Sequence, residues 1–304
     1  MKEIKKIAVM TSGGDAPGMN AAIRSVVRTC AFYEKQCVGI YRGYQGLIEA
    51  DFISLDARKV KNIINKGGTI LKSARSKDFR TVEGREKAYK NLIKENIDAL
   101  VIIGGDGSFT GGVVFNEEYN FPILGIPGTI DNDIYGTSHT LGYDTALNTA
   151  VEAIDKIRDT ASSHNRLFFV EVMGRDAGFI ALNAGVGAGA EEILIPEENL
   201  GINRLLESLK KSRSKGKSSS IVVVAEGDKT GRNVFELADY VEENLPEYEV
   251  RVSVLGHMQR GGSPSCFDRV LASRLGVKAV ELLLEGKTNL MVGLFNNEVA
   301  STSL

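Results

Sequence analysis

The sequence Ala99-Leu-Val-Ile-Ile-Gly-Gly-Asp-Gly-Ser108 indicates the fold class, because it joins a buried strand to a turn suited to an anion. Its first half is a short, continuous apolar run with β-branched residues, which is typical of a buried strand in a parallel sheet. Its second half is small and acidic, and its glycines leave room for a bulky anion against the main chain. Asp106 follows the strand at its carboxyl end, where open α/β sheets bind ligands.

Two interpretations of this turn are open. In the functional one, Gly104, Gly105 and Gly107 cradle phosphates while the carboxylate of Asp106 binds Mg²⁺. In the structural one, the segment is a tight strand-to-helix turn, and Asp106 is the N-cap of the helix. We favour phosphate binding.

The bulk composition is that of an ordinary globular protein. The chain has 304 residues, of which 43% are hydrophobic and 25% charged, and this length predicts about two domains. A net charge of −2 gives no general attraction to nucleic acid or to an anionic membrane. The spacing of Cys30, Cys37 and Cys266 matches neither a zinc site nor a redox pair and fits a reduced, cytoplasmic setting. The apolar run 7–10 is too short for a signal peptide, and no run approaches membrane-spanning length.

Strand and helix patterns alternate along the chain, which predicts mostly parallel sheets with helices on both faces. The predicted strands are 7–10, 36–41, the run from 99, 121–126, 167–172, a short strand ending at 194–196, 221–225 and 250–255. The predicted helices are 19–33, 60–65, 85–95, 145–158, 179–190, 203–212, 234–244 and 267–284. The scheme repeats in two halves, so we expect two similar three-layer α/β/α domains with an active-site cleft between them. The polar segment from residue 296 onward is expected to fray.

Two further segments carry groups that suit phosphate chemistry. The segment 11–18 is a glycine-rich loop between a predicted strand and a predicted helix, a layout in which loop amides and the helix N-terminus both favour an anion. Thr129-Ile-Asp-Asn-Asp133 follows another strand, and its carboxylates are suited to holding a metal or to taking a proton from a sugar hydroxyl. The alternative for this second segment is a capped turn, in which Asp and Asn satisfy their own backbone. Its position beside Asp106 at the same sheet edge favours function.

Five motifs, in the same order, make the chain resemble the bacterial ATP-dependent 6-phosphofructokinases over residues 4–297. These motifs are Thr11-Ser-Gly-Gly-Asp-Ala-Pro-Gly-Met-Asn20, Gly104-Gly-Asp-Gly-Ser108, Pro127-Gly-Thr-Ile-Asp-Asn-Asp133, Val172-Met-Gly-Arg175 and Leu255-Gly-His-Met-Gln-Arg-Gly-Gly-Ser-Pro264. The resemblance implies a larger ATP-binding domain (1–141 with 257–304) and a smaller fructose 6-phosphate-binding domain (142–256). It also implies the committed step of glycolysis: the γ-phosphoryl group of MgATP passes to the 1-hydroxyl of fructose 6-phosphate, giving fructose 1,6-bisphosphate and ADP.

The resemblance assigns roles to individual residues. It implies that Asp106 binds Mg²⁺, that Asp131 is the general base beside Thr129, and that Arg75 and Arg175 stabilise charge on the moving phosphoryl group. The implied ATP-binding residues are Gly14, Arg75, Ser76, Gly105, Asp106, Gly107 and Ser108. The implied sugar-phosphate residues are Thr129, Ile130, Asp131, Arg166, Met173, Gly174, Arg175, Glu226, Arg251, His257, Met258, Gln259 and Arg260.

The resemblance also implies a homotetramer, because in this family Arg166 and Arg251 reach across from a neighbouring subunit. His257 has an alternative as a strand-end histidine satisfied by backbone, and we expect His139 and His164 to be structural.

The phosphoryl donor is indicated by two glycines. Pyrophosphate-dependent relatives typically carry Asp where Gly107 stands and Lys where Gly128 stands, and those side chains fill space that a nucleotide needs. We therefore expect ATP as donor, with a pyrophosphate-dependent enzyme as the nearest alternative. Other kinases with a Gly-Gly-Asp-Gly turn lack the segments 129–133 and 257–264. A catalytically dead nucleotide sensor would have lost Asp106, Asp131 or Arg175.

A possible effector site for ADP or phosphoenolpyruvate departs from the family pattern. The residues that match are Arg24, Arg28, Arg58, Arg158, Gly189, Glu191, Lys215 and Lys217. Ala57 stands where an arginine is usual, Asn62 replaces an Asp, and Ser218 and Ser219 replace a basic pair. We therefore expect weakened or altered effector affinity with intact catalysis. Family members usually continue beyond the position of Leu304 and return to the second domain.

Overall fold

The structure, a computed structural model, describes residues 3–164, 166–198, 201–216 and 219–304. The strands are β1 (Lys6–Thr11), β2 (Gln36–Ile40), β3 (Phe52–Leu55), β4 (Ala99–Gly104), β5 (Ile123–Pro127), β6 (Arg166–Val172), β7 (Glu192–Leu194), β8 (Ser220–Ala225), β9 (Glu249–Val254), β10 (Leu290–Phe295) and β11 (Glu298–Ser303). The α-helices are α1 (Met19–Phe32), α2 (Gly43–Glu49), α3 (Val82–Lys94), α4 (Asp106–Tyr119), α5 (Tyr143–His164), α6 (Phe179–Gly187), α7 (Ile202–Ser214), α8 (Val234–Asn244) and α9 (Cys266–Leu284). Within these ranges, none of the helices is both long and apolar enough to cross a membrane.

The chain divides into two units by its internal contacts. Unit 1 contains Met1–Ile130, Ile134–Asp144 and Arg260–Leu304, and unit 2 contains Asp131–Asp133 and Thr145–Gln259. Each unit is built around one sheet with mostly or wholly parallel strands. The predicted α/β class is therefore confirmed.

The sheet of unit 1 has the order β11-β10-β5-β4-β1-β2-β3. Its inner strands are parallel, whereas β3 and β11 pair antiparallel at the two edges. The register places Thr11 opposite Ile103 and Gly104 opposite Pro127. The carboxyl ends of β1, β4 and β5 therefore meet at one edge of the sheet, which is where the three glycine-rich segments begin.

Helices cover both faces of this sheet, which explains why all six residues of β4 are buried. Successive side chains of a strand point to opposite faces. On one face, Leu100 and Ile102 join a cluster that includes side chains of α2, α3 and α4. Helices α1 and α9 pack against each other and against strands of the same sheet. The continuous apolar run of β4 is thus the signature of a strand buried on both sides.

The sheet of unit 2 is parallel throughout, with the order β7-β8-β6-β9. One face is packed by α7 and α8, whose leucines share a hydrophobic cluster with Phe169 and Val222. Helix α8 begins with a capping box, in which the Asn233 side chain accepts from the Glu236 backbone and the Glu236 side chain accepts from the Asn233 backbone. This reciprocal cap explains why α8 begins where the sequence predicts.

The structure corrects two predicted segments. Residues 60–65 form successive turns instead of a helix, because Asn62 adopts a left-handed conformation with φ of 58° that interrupts helical bonding. The segment from residue 296 onward does not fray, because it forms β11 and pairs antiparallel with β10. Asn296 and Asn297 both have positive φ, of 48° and 63°, the conformation that a tight hairpin turn requires.

Candidate functional site

The glycine turn after β4 opens directly into helix α4. Gly105 is the N-cap residue and Asp106 is the first helical residue, so the interpretation of Asp106 as the N-cap is wrong. Asp106 and Gly107 are exposed, while Ser108 is buried. The first turn of a helix presents unpaired backbone N–H groups and a partial positive charge. This turn therefore combines anion-binding amides with an exposed carboxylate.

Gly104 permits a close approach between the turn and the loop after β1. A Cβ at Gly104 would lie 2.6 Å from the carbonyl oxygen of Ser12 and 2.7 Å from Oγ of Ser108. The backbone of Ser12 donates to Ile103, and the backbone of Gly128 donates to Gly104 at 2.9 Å. The three glycine-rich segments thus form one continuous surface.

The loop after β1 holds the guanidinium of Arg260. A Cβ at Gly14 would lie 2.6 Å from Nη1 of Arg260, and this nitrogen donates to the carbonyl oxygen of Asp15 at 3.4 Å. The structure therefore places a cation predicted for the sugar phosphate against a loop predicted for ATP.

The segment containing Arg75 and Ser76 is tied to the same loop. Oγ of Ser73 donates to the carbonyl oxygen of Gly13 at 2.7 Å. Oγ of Ser76 donates to Oε1 of Gln45 at 2.8 Å and accepts from the Phe79 backbone at 3.2 Å. Arg75 is exposed. The Ser76 hydroxyl therefore fixes the segment, and the Arg75 side chain projects into solvent.

The segment after β5 buries its polar side chains. Thr129 and Asp131 are 8% and 7% exposed, and Ile130 is fully buried. The hydroxyl of Thr140 donates to the carbonyl oxygen of Thr129 at 2.6 Å. The Cβ of Thr129 lies 3.8 Å from the position that a Cβ at Gly105 would take. The structure thus brings Thr129 to the glycine turn.

In unit 2, the predicted residues Met173, Arg175 and Glu226 gather at the carboxyl ends of β6 and β8. The Arg175 backbone donates to Oε1 of Glu226 at 2.7 Å, and the Glu226 backbone donates to Val172. Arg175 has a φ of 56°, and its side chain is 74% exposed with Nε 3.6 Å from Asp176. An exposed guanidinium beside a fixed carboxylate suits a polar ligand.

Two glycines let this part of unit 2 close tightly. Gly174 has a φ of 144°, and a Cβ there would lie 2.3 Å from the carbonyl oxygen of Ala177. A Cβ at Gly227 would lie 2.1 Å from the carbonyl oxygen of Arg175.

Burial, followed by the charges of Glu226 and Asp228, raises the pKa of the nearby Glu171 carboxyl. The carboxyl ends of these strands are therefore acidic as well as close-packed.

Arg166 and Arg251 lie at the other end of the same sheet. Nε of Arg166 is 3.1 Å from Oε2 of Glu249, and Arg251 forms an ion pair with the other oxygen of that carboxylate. Arg166 is the first residue of β6, and the six-residue rise to Val172 spans about 20 Å. The structure does not bring these two arginines together with Arg175 and Glu226.

The remaining sugar-phosphate residues lie in a short 3₁₀ helix, Gly256–Arg260. His257 is exposed, Met258 is 56% exposed and Gln259 is buried. The Gln259 amide donates to the carbonyl oxygen of Gly256 at 3.1 Å. An exposed methionine beside an exposed histidine offers an accessible surface for a ligand.

The predicted effector residues fall into separate groups. In unit 1, Arg24 and Arg28 line an open cavity of about 590 Å³ together with Ala57, Phe32 and Val277. Arg58 is exposed, and its backbone donates to Asp56.

In unit 2, Arg158 donates to the carbonyl oxygens of Ala188 and Gly189 at 2.9 and 2.7 Å. Its Nη1 lies 3.7 Å from Glu191. An anion at this position would compete with bonds that Arg158 already makes. Lys215 is exposed, whereas Lys217 and Ser218 lie outside the described residues.

Two residues that the sequence analysis missed contact the predicted nucleotide segments. The Tyr44 hydroxyl donates to the carbonyl oxygen of Ser108 at 2.5 Å, and Gln45 accepts from Ser76. Both lie in α2, a seven-residue helix that contains two glycines. The sequence signal available for α2 was a tyrosine and a glutamine between two glycines. A segment of this length is too short for helical periodicity to be recognised.

The residues present also bear on a metal. Across the described ranges, His, Cys, Asp and Glu side chains do not gather in groups of three or more that would cage an ion. Mg²⁺ is usually held by one or two carboxylates together with substrate phosphates and water. The exposed carboxylate of Asp106 beside anion-binding amides fits that kind of site.

Comparison with known proteins places this geometry in context. A family model described as Phosphofructokinase matches residues 6–283. The chain is 55% identical over 299 residues to ATP-dependent 6-phosphofructokinase 2 of Bacteroides thetaiotaomicron, covering 98% of this chain and 91% of that protein. It is 56% identical over 301 residues to ATP-dependent 6-phosphofructokinase 1 of Thermus thermophilus, covering 99% and 93%. The structure of phosphofructokinase from Saccharomyces cerevisiae superposes with a TM-score of 0.92 at 39% identity, covering 98% of this chain and 44% of that one.

Proposed function

This chain belongs to the phosphofructokinase family, and we propose that it is an ATP-dependent 6-phosphofructokinase. It transfers the γ-phosphoryl group of MgATP to the 1-hydroxyl of fructose 6-phosphate, giving fructose 1,6-bisphosphate and ADP. The observation that carries this proposal is the glycine turn at Gly104–Ser108, where Asp106 begins α4 beside anion-binding amides. The reaction is the committed step of glycolysis and takes place in the cytoplasm.

Unit 1 binds the nucleotide. The amides of Gly14, Gly105 and Gly107 and the first turn of α4 receive the phosphates, because helix N-termini bind anions through N–H groups and the helix dipole. Asp106 would hold Mg²⁺ together with phosphate oxygens. When bound, Mg²⁺ neutralises charge on the β- and γ-phosphates.

The two positions that distinguish phosphoryl donors support ATP. Among the described residues, and apart from the adjacent residues and the backbone of α4 itself, no atom lies within 4 Å of the position that a Cβ at Gly107 would take, so this glycine leaves open space beside Asp106. A Cβ at Gly128 would lie 3.1 Å from Cγ2 of Ile103 and 3.2 Å from Cε of Met19. Gly128 therefore stands in a crowded position that a lysine side chain does not readily fit.

Asp131 is the general base of the reaction. The 1-hydroxyl oxygen attacks the γ-phosphorus, its proton passes to the Asp131 carboxylate, and the bond between this phosphorus and the bridging oxygen of ADP breaks. Phosphoryl transfer depends mainly on in-line positioning and charge neutralisation. Thr129 positions the hydroxyl, and Arg75 and Arg175 stabilise the charge of the moving group with planar, multidentate donors.

Unit 2 binds fructose 6-phosphate through Met173, Gly174, Arg175 and Glu226, and His257, Met258, Gln259 and Arg260 contribute further contacts. Arg166 and Arg251 lie at the opposite end of the unit 2 sheet, which supports their serving the site of a neighbouring subunit. The proposed active form is therefore a homotetramer. ADP and phosphoenolpyruvate act as effectors with altered affinity, because the cavity beside Arg24 and Arg28 is lined by Ala57.

A coupled assay with fructose 6-phosphate tests this function directly. The purified chain should form fructose 1,6-bisphosphate with MgATP, and its rate with pyrophosphate should be at background. Turnover with pyrophosphate and none with ATP would establish the alternative donor. Failure to turn over with either donor would contradict the proposed function.

A further inference from the structure

Helix α2 lies against both segments that the proposed function assigns to the nucleotide. Its Tyr44 hydroxyl donates to the carbonyl oxygen of Ser108 at 2.5 Å, and the Gln45 side-chain oxygen accepts from Oγ of Ser76 at 2.8 Å. We propose that Tyr44 and Gln45 are positioning residues, which hold the glycine turn and the Arg75-Ser76 segment in the arrangement that the triphosphate requires. This inference rests on the proposed function.

The Tyr44 side chain is rigidly held. It is 7% exposed, and its ring stacks on Phe79 with centroids 3.9 Å apart. A Cβ at Gly111 would lie 3.1 Å from the Tyr44 hydroxyl and 3.2 Å from two of its ring atoms. Because Gly111 has no side chain, the Tyr44 ring packs directly on α4. This contact lies one helical turn after Ser108, whose carbonyl oxygen accepts the hydrogen bond from Tyr44.

The direction of the hydrogen bond is fixed by chemistry. A backbone carbonyl oxygen only accepts, so the Tyr44 hydroxyl must donate its proton to Ser108. Burial raises the pKa of Tyr44, so the hydroxyl stays protonated at neutral pH. Because Ser108 belongs to the first turn of α4, this bond restrains the turn whose amides are proposed to meet the phosphates.

The Gln45 amide is oriented by its neighbours. Its Nε2 donates to Oε1 of Glu49 at 2.7 Å, and the other oxygen of Glu49 accepts from Arg42 at 2.6 Å. This leaves the amide oxygen of Gln45 facing Ser76. The chain of bonds ends at the Phe79 backbone, which donates to Ser76 at 3.2 Å, so one network fixes the turn that follows Arg75.

The position of α2 is itself set by close backbone contacts. Arg42 and Ala50, which flank the helix, have φ values of 58° and 59°. A Cβ at Gly43 would lie 2.8 Å from the carbonyl oxygen of Thr11, and one at Gly46 would lie 1.6 Å from that of Tyr41. The helix is thereby held against the end of β1. It couples the first turn of α4 to the Ser76 segment, which is distant in sequence.

Steady-state kinetics of Tyr44→Phe provide the first test. The variant keeps the stacked ring and loses one hydrogen bond, for which we expect the KM for ATP to rise about fivefold. The KM for fructose 6-phosphate should stay within twofold. Gly111→Ala, which pushes on the same ring, should reproduce the rise in the KM for ATP.

Tyr248→Phe is the matched control. The Tyr248 hydroxyl also donates to a backbone carbonyl, that of Leu209 at 3.2 Å, and the residue is 2% exposed. Both tyrosine variants therefore lose a buried bond of the same kind and a comparable amount of thermal stability. A purely structural role predicts the same kinetic effect from both, and that result would overturn the proposal.

Hydrogen exchange of the ligand-free protein separates this inference from the proposed function. Amides in 104–110 should exchange faster in Tyr44→Phe, and those in 75–80 faster in Gln45→Leu, with neither change in Tyr248→Phe. Unchanged exchange in both segments would overturn the positioning role, whatever reaction the protein catalyses. If the wild type lacks kinase activity while the variants differ from it in exchange as described, the proposed function is contradicted and the positioning of the turn is still supported.

Discussion

Replacing Gly107 by Asp tests where the triphosphate binds. Gly107 is exposed in the first turn of α4 and stands next to Asp106. Among the residues that the structure describes, and apart from the adjacent residues and the backbone of α4, no atom lies within 4 Å of the position of a Cβ at Gly107. An added side chain therefore causes no clash, and a carboxylate near a helix N-terminus is mildly stabilising. We expect the variant to fold normally and to bind ATP poorly.

The size of the effect follows from Coulomb's law. One added negative charge about 6 Å from a unit of net phosphate charge, at an effective dielectric constant of about 20, costs about 3 kcal/mol. This corresponds to about a 100-fold loss of affinity at low salt. At physiological ionic strength, with a Debye length of about 8 Å, the cost falls to about 1.4 kcal/mol, or about tenfold.

The assay measures the KM for ATP of the wild type, Gly107→Asp and Gly107→Ala at low and at physiological salt. Gly107→Ala is the matched control, because it adds the same Cβ without the charge and gains up to about 1 kcal/mol of helix propensity. Only Gly107→Asp should raise the KM for ATP, and the rise should shrink as salt is added. An unchanged KM in Gly107→Asp would refute the placement of the phosphates at this turn. An equal rise in both variants would show a steric effect instead.

Three further outcomes are expected. The bidentate bond from Arg85 lowers the pKa of Glu118, so Glu118→Gln should lower the free energy of unfolding by about 2 kcal/mol at neutral pH. In urea titrations, the difference in unfolding free energy between the wild type and Glu118→Gln should shrink as the pH falls from the unfolded pKa of Glu118 through its lowered folded pKa, and a constant difference would contradict this. Burial and Glu226 raise the pKa of Glu171. The contribution of Glu171 to stability is therefore most favourable below its unfolded pKa and is lost as the pH rises through its folded pKa. Glu171→Gln should melt at a higher temperature than the wild type at neutral pH and show no gain near pH 4; a lower melting temperature at neutral pH would exclude repulsion among these carboxylates. Saturation curves for fructose 6-phosphate should respond weakly to ADP or phosphoenolpyruvate, because Ala57 lines the effector cavity, and strong responses to both would refute weakened binding.

The regular parts of the fold were predictable from sequence because local signals and tertiary packing agree there. Strand β4 is a continuous apolar run buried on both faces, and α8 carries a reciprocal cap and helical periodicity. The ends of other predicted elements shift by a few residues, as for β5, which begins at Ile123. These elements were identified because each is long or strongly patterned.

Elements that depend on distant contacts could not be predicted in the same way. Helix α2 has two glycines in seven residues, and it is held by the end of β1 and by α4. The polar edge strand β11 forms because Asn296 and Asn297 turn the chain back onto β10. Propensity and periodicity do not report such contacts.

The candidate site likewise has parts that local sequence motifs predict and parts that depend on contacts between distant residues. The glycine-rich segments were recognisable as motifs, and the parallel sheet explains why they meet at one edge. The sequence did not reveal that Arg260 lies against Gly14 or that Glu249 pairs Arg166 with Arg251. Both contacts join residues that are not neighbours in sequence, and each depends on side-chain orientation in the folded units.

The central claim is that a single carboxylate, that of Asp131, takes the proton of the sugar hydroxyl. The most direct measurement is turnover of Asp131→Ser with MgATP and fructose 6-phosphate, alongside calorimetric titration of the same variant with MgATP. We expect turnover to fall by about 10²- to 10⁴-fold, while affinity for MgATP stays within a few-fold of the wild type. Near-normal turnover in this variant would contradict the account.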